Sequence, residues 1–165
     1  PEYFNTEILV WCLITTLLLQ ILSNLANDLG DSLKGADNEF RIGPKRVVQR
    51  GLLSLSDMKW GIAVCAFLSL CSGLKLLFES FGNEITKAFF FLFLIGIGAI
   101  CAAITYTLGK NAYGYKGLGD FFVFIFFGWI GVGGSYYLQA KTISPILMLP
   151  ATSIRAAGCV CVTSK

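Results

Sequence analysis

The segment ILVWCLITTLLLQILSNLANDLGD, residues Ile8 to Asp31, decides the fold, because an unbroken apolar stretch leads directly into a stripe of polar side chains. A helix of about 20 apolar residues crosses the hydrocarbon of a bilayer. The run from Ile8 to Leu25 is therefore long enough to span a membrane. Residues three or four positions apart lie on one helical face. The polar residues at this spacing are Gln20, Ser23, Asn24, Asn27, Asp28 and Asp31.

The rest of the chain repeats this apolar character. Of its 165 residues, 55% are hydrophobic and 14% charged, and the mean hydropathy is +0.70. Further apolar runs cover about 58–78, 88–107 and 121–139, and a fifth begins near Ile143. We predict a single all-α membrane domain over 1–165, a polytopic helical bundle with four full spans and a truncated fifth. Glycines in the third and fourth runs are expected to let helices approach closely: Gly96, Gly98, Gly128, Gly131, Gly133 and Gly134.

Composition also restricts the chemistry. The chain has no histidine, which excludes imidazole bases and histidine-ligated metals or haem. Four of the cysteines lie inside apolar runs, without a C-x-x-C pair, and are expected to be small buried apolar residues: Cys12, Cys65, Cys71 and Cys101. Carboxylate, amide and lysine chemistry remains.

The distribution of cations between alternate loops predicts the orientation. The second and fourth loops hold only Lys87 and Lys141. The first and third loops carry Lys34, Arg41, Lys45, Arg46, Arg50, Lys110 and Lys116. Loops rich in lysine and arginine face the cytoplasm. We therefore expect a multi-pass protein of the plasma (inner) membrane, with two unusual polar segments on its cytoplasmic face, where they can line one cavity.

The first of these segments carries oxygen ligands at helical spacing. Asn24 with Asp28, and Asn27 with Asp31, are pairs four residues apart. Magnesium takes one or two carboxylates, several waters and substrate phosphates, so this pattern favours a magnesium-diphosphate site. Acids bordering a span are costly and usually functional. The alternatives are an ordinary solvated helix end and an ion path in a channel or transporter subunit.

The second segment is YTLGKNAYGYKGLGD, residues Tyr106 to Asp120. Lys110 lies four residues after Tyr106, where its ammonium could meet phosphate oxygens. Tyr113 and Tyr115 offer aromatic faces or hydroxyls near that cation. An interfacial aromatic belt explains these two tyrosines equally well.

The stretch NDLGDSLKGADNEFRIGPKRVVQRGL, 27–52, resembles the first aspartate-rich motif of the UbiA superfamily of intramembrane prenyltransferases. The elements Lys34-Gly35-x-Asp37 and Arg41-Ile42-Gly43-Pro44 match the branch that acts on 1,4-dihydroxy-2-naphthoate, and YGYKGLGDFFVFIFFG, 113–128, is similar to the same branch. The resemblance implies Mg²⁺ as cofactor and a polyprenyl diphosphate as donor. It also implies dihydroxynaphthoate as acceptor in a lipid bilayer, with loss of its carboxylate and formation of a demethylmenaquinone. No nucleic acid or obligate protein partner is expected.

The resemblance also assigns roles to individual residues. Asn27 and Asp31 match the family's N-x-x-x-D core, with Asp28 as its acidic companion and Asp37 in place of its later aspartate, and together with Asn24 from the spacing above they are the predicted metal ligands. The predicted diphosphate contacts are Lys34, Arg41, Lys45 and Lys110, of which the resemblance implies Lys110. Tyr106 and Lys110 match a Y-x-x-x-K element with a catalytic role, and the implied acceptor contacts are Tyr113, Tyr115 and Asp120. The family carries a second aspartate-rich motif, whereas nothing after Asp120 is acidic. We therefore expect residues 1–165 alone to be inactive, and 155–165 to be a non-native tail produced by a frameshift or truncation.

Other classes fit less well. A prenyltransferase acting on another aromatic acceptor, such as 4-hydroxybenzoate, is the nearest alternative. The CDP-alcohol phosphotransferase motif begins D-G-x-x-A-R, a string that does not occur here. Soluble trans-prenyl synthases are excluded by the hydropathy. A cation-binding channel or transporter subunit remains the non-enzymatic alternative.

Overall fold

A computed structural model describes residues 4–34, 53–109, 112–116, 121–122 and 124–142, and the regular structure in these ranges is helical. The three long helices are α1 (Thr6–Lys34), α2 (Leu55–Phe81) and α3 (Lys87–Thr105). Each is long and apolar enough to cross a membrane. The prediction of an all-helical membrane chain is confirmed for this part of the protein.

The fourth apolar run is not one continuous α-helix. A 3₁₀ turn at Tyr113–Lys116 precedes a π-helix at Phe124–Gly133, which continues directly into the short helix α4 at Gly134–Ala140. In a π-helix each backbone N–H bonds to the carbonyl five residues back rather than four. Of the four predicted full spans, the structure thus gives three as long apolar helices within the described residues, and the fourth run is divided between shorter π- and α-helical pieces. The fifth run, from Ile143 onward, lies outside the described residues.

Short polar sequences start the long helices. Ser54 precedes α2, where its Oγ accepts from the Asp57 amide at 3.1 Å and an Asp57 carboxylate oxygen accepts from the Ser54 amide at 3.0 Å. Thr86 precedes α3 and accepts from the Phe89 amide at 3.2 Å. Asn5 precedes α1 and accepts from the Glu7 amide at 2.8 Å. These bonds satisfy N–H groups that lack a partner within the helix.

Two layers of buried side chains hold α1, α2 and α3 together. The layer near the start of α1 contains Ile8, Leu76, Leu77, Phe89 and Leu138. The layer near the end of α1 contains Leu22, Ala26, Leu29, Met58 and Ile62. Lipid tails are as apolar as leucine, so association within a membrane depends on close van der Waals packing rather than on exclusion of water.

An apolar cavity of about 180 Å³ lies between these layers and is lined by all four helices and the π-helix. Three of its lining hydroxyl groups are bonded within the bundle: Thr15 Oγ1 donates to Ser72 Oγ at 3.1 Å, Ser69 Oγ donates to the Cys65 carbonyl at 2.7 Å, and Ser135 Oγ donates to the Val132 carbonyl at 3.1 Å. Because these polar atoms already have partners, the cavity offers mainly hydrocarbon contact.

Hydrogen bonds join three elements at the end of the bundle that lies opposite the acidic stripe. The Gln139 amide accepts from the Asn5 backbone N–H at 2.8 Å and donates to the Asn5 carbonyl at 2.9 Å. Ser80 Oγ donates to the Leu138 carbonyl at 2.7 Å, and the Lys141 ammonium donates to Ser80 Oγ. We call these five residues the terminal interlock, because they tie the end of α4 to the beginning of α1 and the end of α2.

The expected role of several glycines is wrong. A Cβ added at Gly96, Gly98 or Gly134 would meet no atom of the described chain within 4 Å. These residues therefore do not bring helices together in this part of the protein. The α1–α2 contact instead includes Gly61, where an added Cβ would lie 3.5 Å from Leu25 Cδ1.

The cysteines divide between the interior and the outer surface. Cys12 and Cys65 are half-buried, whereas Cys71 and Cys101 are exposed, and all four are free thiols. The expectation of burial is wrong for Cys71 and Cys101, because both lie on the outer face of the bundle. An apolar environment in a membrane span does not require burial within protein.

Candidate functional site

The structure places four of the predicted metal ligands on the C-terminal half of α1. Asn24 is exposed, and Asn27, Asp28 and Asp31 are half-buried. The buried residues of this half lie on the opposite side, against α2 and the end of α3: Leu22, Ala26, Leu29 and Gly30. The amide and carboxylate groups thus share a face that does not form the α1–α2 core.

Two further residues complete this helix end. Ser32 Oγ donates to the Asp28 carbonyl at 2.7 Å, a bond from one turn to the preceding one. Lys34 is the last residue of α1. A cation at a helix C-terminus interacts favourably with the helix dipole and offsets the unfavourable position of nearby carboxylates.

The closest approach between α1 and the chain that follows α3 is made by Thr107. Its Oγ1 donates to the Ala26 carbonyl at 2.8 Å, and the residue is only 4% exposed. A Cβ added at Gly30 would lie 2.6 Å from Thr107 Cβ and 2.8 Å from Thr107 Oγ1. Small residues four apart on a membrane helix permit such an approach. We call Ala26, Gly30 and Thr107 the threonine contact.

The threonine contact joins the two polar segments that the sequence analysis singled out. Asn27 and Asp28 lie between its two α1 residues, and Tyr106 directly precedes its threonine. Leu108 packs on the layer around Leu22 and Met58. The end of the first segment therefore contacts the start of the second, in the chain through Gly109, and the cavity that the two are expected to line together stays a prediction.

Tyr106 and Tyr113 form a paired aromatic unit beside this contact. Their ring centroids are 5.3 Å apart with the planes at 82°. The Gly114 amide donates to the Tyr106 carbonyl at 2.9 Å. A Cβ at Gly114 would lie 2.8 Å from that carbonyl oxygen. A glycine is thus required where the turn folds back over Tyr106.

The hydroxyl of Tyr113 is already engaged. It donates to the Ala102 carbonyl at 2.7 Å, and the ring lies 4.1 Å from that of Phe122, with 34° between the planes. Burial, with a smaller contribution from Tyr106, raises the pKa of Tyr113, so the phenol stays protonated and able to donate. In this arrangement the hydroxyl of Tyr113 is bonded to the chain, and its ring packs against both Phe122 and Tyr106.

Several predicted site residues lie outside the described part of the chain and stay predictions. These are Asp37, Arg41, Lys45, Lys110 and Asp120, together with the side chain of Tyr115.

The oxygen donors on α1 suit a magnesium ion that is shared with phosphate. Mg²⁺ is commonly held by one or two carboxylates, waters and substrate phosphate oxygens, and Asp28 and Asp31 supply two carboxylates beside the amides of Asn24 and Asn27. Within the described residues, no three His, Cys, Asp or Glu side chains form a group that could hold a metal ion. The two carboxylates and two amides are the types of oxygen donor that Mg²⁺ prefers.

Sequence reasoning overlooked Gly30, Thr107 and Gly114. The first had a readable signal, because Ala26 and Gly30 are small residues at the four-residue spacing of close helix contacts. Thr107 and Gly114 gave no comparable signal, since their partners become known only when the end of α3 is placed on α1.

Comparison with known proteins identifies the family. The profile of the UbiA prenyltransferase family matches residues 1–161. The chain is 50% identical over 151 residues to the 1,4-dihydroxy-2-naphthoate octaprenyltransferase of Haemophilus influenzae, covering 92% of this chain and 48% of that protein. It is 48% identical over 151 residues to the enzyme of the same name from Escherichia coli, with coverages of 92% and 48%. The protein of that name from Mycobacterium tuberculosis is 33% identical over 149 residues, with coverages of 89% and 47%.

The chain spans about half the length of the curated relatives it matches. No solved structure matches it significantly. The match along nearly the whole chain is decisive, and the chain belongs to the UbiA prenyltransferase family.

Proposed function

We propose that this chain contributes to the transfer of a polyprenyl group from polyprenyl diphosphate to 1,4-dihydroxy-2-naphthoate, which loses its carboxylate and becomes a demethylmenaquinone. The names of the relatives, all 1,4-dihydroxy-2-naphthoate octaprenyltransferases, support this acceptor. The observation that carries the proposal is the threonine contact, because it holds the acidic half of α1 beside Tyr106.

The carboxylates of α1 bind the donor through magnesium. Asp28 and Asp31, assisted by Asn24, Asn27 and Asp37, would hold Mg²⁺. When bound, the ion neutralises charge that develops on the departing diphosphate. Without it, carboxylates on this face would repel an anionic donor. The acidic stripe and an anionic substrate are thus compatible only with a cation between them.

Cationic side chains bind the diphosphate oxygens that the metal leaves unneutralised. Lys34 at the end of α1, with Arg41, Lys45 and Lys110, forms this set. Lys110 follows Tyr106 by four residues in sequence. These cations stabilise the leaving group as the bond between the allylic carbon and the diphosphate oxygen breaks.

The acceptor lies beside the aromatic unit of Tyr106 and Tyr113. Tyr113 has its hydroxyl engaged by Ala102 and its ring packed on Phe122, so it would contact the naphthoate only through the part of the ring that stays exposed, while Tyr115 and Asp120 would contact the polar substituents. A ring carbon of the naphthoate then attacks the allylic cation. The apolar cavity between the two packed layers has the chemical character that isoprene units require.

The same proposal covers the rest of the architecture. Loops one and three lie on the cytoplasmic side of the plasma membrane. The described helices form part of a UbiA-like bundle with further spans. The exposed amides of Gln20 and Asn24 lie within the first span, where polar groups face other protein or a water-filled cavity rather than lipid. They support a substrate cavity on this face of α1.

The test is transfer from labelled polyprenyl diphosphate to 1,4-dihydroxy-2-naphthoate in membranes. It compares this chain with a fusion that supplies the remainder of the H. influenzae relative. We expect product from the fusion and loss of product when EDTA removes Mg²⁺. In the fusion, Asp31→Asn should lower the rate by roughly a hundredfold, because transition-state charge loses its neutralisation.

Glu84→Gln is the matched control, because Glu84 is exposed between α2 and α3, at the opposite end from Asp31. It should leave the rate unchanged. Transfer to 4-hydroxybenzoate instead of the naphthoate would contradict the acceptor assignment. No transfer by a fusion shown to be inserted and folded, together with cation flux through the membrane, would favour the channel alternative.

A further inference from the structure

Thr107 is placed to act on both polar segments at once. It is buried, it bonds to α1 through Oγ1, and its main chain continues from Tyr106 toward Lys110. Leu108 on its other side packs on the layer around Leu22 and Met58. The side chain of Thr107 therefore contacts α1 in the middle of the Tyr106–Lys110 segment.

The bond from Thr107 is specific in register. A helix carbonyl that accepts its own backbone bond retains a second lone pair, which a neighbouring hydroxyl can use. Thr107 uses the carbonyl of Ala26 at 2.8 Å, one residue before Asn27. A shift of one helical turn would bring Oγ1 to the carbonyl of Leu22 or Gly30 and would move Tyr106 by about 5.4 Å along α1.

Close packing at Gly30 also fixes the distance between α1 and Thr107. Thr107 Cβ, Oγ1 and its carbonyl oxygen all lie within 2.8 Å of where a Gly30 Cβ would be. Gly30 thus meets Thr107 with no side chain of its own between them. Separation and register are both set on the buried face of α1, within one helical turn of Asn27 and Asp31.

We propose that Thr107 is a positioning residue for magnesium-diphosphate binding: its bond to the Ala26 carbonyl, with its packing on Gly30, holds Tyr106 and the chain through Gly109 at a fixed distance and register from the acidic half of α1. This inference rests on the proposed function. It adds a residue that touches neither metal nor substrate and acts through the two segments that do.

The test uses the full chain in lipid nanodiscs and needs no turnover. Binding of Mn²⁺, as a paramagnetic substitute for Mg²⁺, is measured by electron paramagnetic resonance with inorganic pyrophosphate present. Thr107→Val keeps the shape of the side chain and removes the hydroxyl, so we expect Mn²⁺-pyrophosphate binding to weaken by about fivefold. Thr107→Ser keeps the hydroxyl and should bind within about twofold of the original chain.

Thr105→Val is the matched control. Thr105 is two residues away and exposed, and its hydroxyl donates to the Cys101 carbonyl of its own helix at 2.8 Å. Its loss should leave binding unchanged. Thermal unfolding of each variant gives the folded fraction, to which the binding constants are referred.

The outcomes separate the two proposals. No Mn²⁺-pyrophosphate binding by the original chain would contradict the proposed metal-diphosphate site, and with it the positioning role. Binding by the original chain with equal affinity in Thr107→Val and Thr105→Val would overturn the positioning role alone. A lower melting temperature of Thr107→Val with unchanged affinity in its folded fraction would show a structural role only, and would also overturn it.

Discussion

Replacing Gly30 by alanine tests the threonine contact directly. The new methyl carbon would lie 2.6 Å from Thr107 Cβ and 2.8 Å from both Thr107 oxygens. Carbon atoms in contact are separated by about 3.5 to 4.0 Å, so α1 and the end of α3 must separate by roughly 1 Å. One of the three atoms is a backbone carbonyl oxygen, which cannot be relieved by a rotamer change.

The expected cost follows from two opposing terms. Overpacking a close contact costs about 1 to 3 kcal/mol, whereas replacing a helix-interior glycine by alanine gains about 0.5 to 1 kcal/mol. The midpoints of these two ranges give a net loss of unfolding free energy of about 1.3 kcal/mol. For a chain of this size, the corresponding fall in melting temperature is about 3 to 5 °C.

The assay is thermal unfolding in nanodiscs followed by far-UV circular dichroism. Gly98→Ala is the control, because an added Cβ there meets no described atom within 4 Å. It should match or exceed the stability of the original chain, since only the helix-propensity gain remains. A Gly30→Ala protein as stable as Gly98→Ala would refute the close approach of α1 and Thr107.

Two other substitutions test the opposite end of the bundle. Phe89 is 6% exposed, and its ring centroid lies 5.2 Å from that of Phe78 and 5.9 Å from that of Phe81. Phe89→Ala should lower the unfolding free energy by about 3 kcal/mol in the same assay, whereas Phe91→Ala, at an exposed position, should have little effect. Equal losses in the two variants would contradict the packing around Phe89. Gln139→Leu removes both hydrogen bonds to Asn5 and should lower the local stability of the first turn of α1 by about 1 kcal/mol. The measurement is amide hydrogen exchange in that turn, which should become faster. An unchanged exchange rate there would contradict the terminal interlock.

Periodicity was enough to predict the helix that carries the site. The apolar run from Ile8 and the polar residues through Asp31 require a spanning helix with a polar face, and α1 has both. The meeting of the two polar segments was predicted only as a shared membrane side. The contact itself depends on a hydroxyl-to-carbonyl bond between residues 81 positions apart, which leaves no periodic signal in the sequence.

The fourth span shows where hydropathy fails. The run from Phe121 to Gln139 is as apolar as the others, yet its backbone adopts a π-helix before α4. Hydropathy measures preference for lipid, and π and α backbones satisfy their hydrogen bonds equally within one segment. The glycines of the third span show that sequence composition also fails to predict helix contacts. A missing side chain permits a close contact between helices but does not require one.

The terminal interlock gives the bundle an uneven mechanical character. Four hydrogen bonds fix the end of α4 to the first residue before α1 and to the end of α2, at one face of the membrane. Toward Asp31, α1 is held instead by the apolar layer around Leu22 and Met58 and by the hydroxyl of Thr107. Apolar packing is non-directional and resists sliding less than four hydrogen bonds do, so a ligand bound near Asp31 would displace that end of α1 more easily than the end at Asn5.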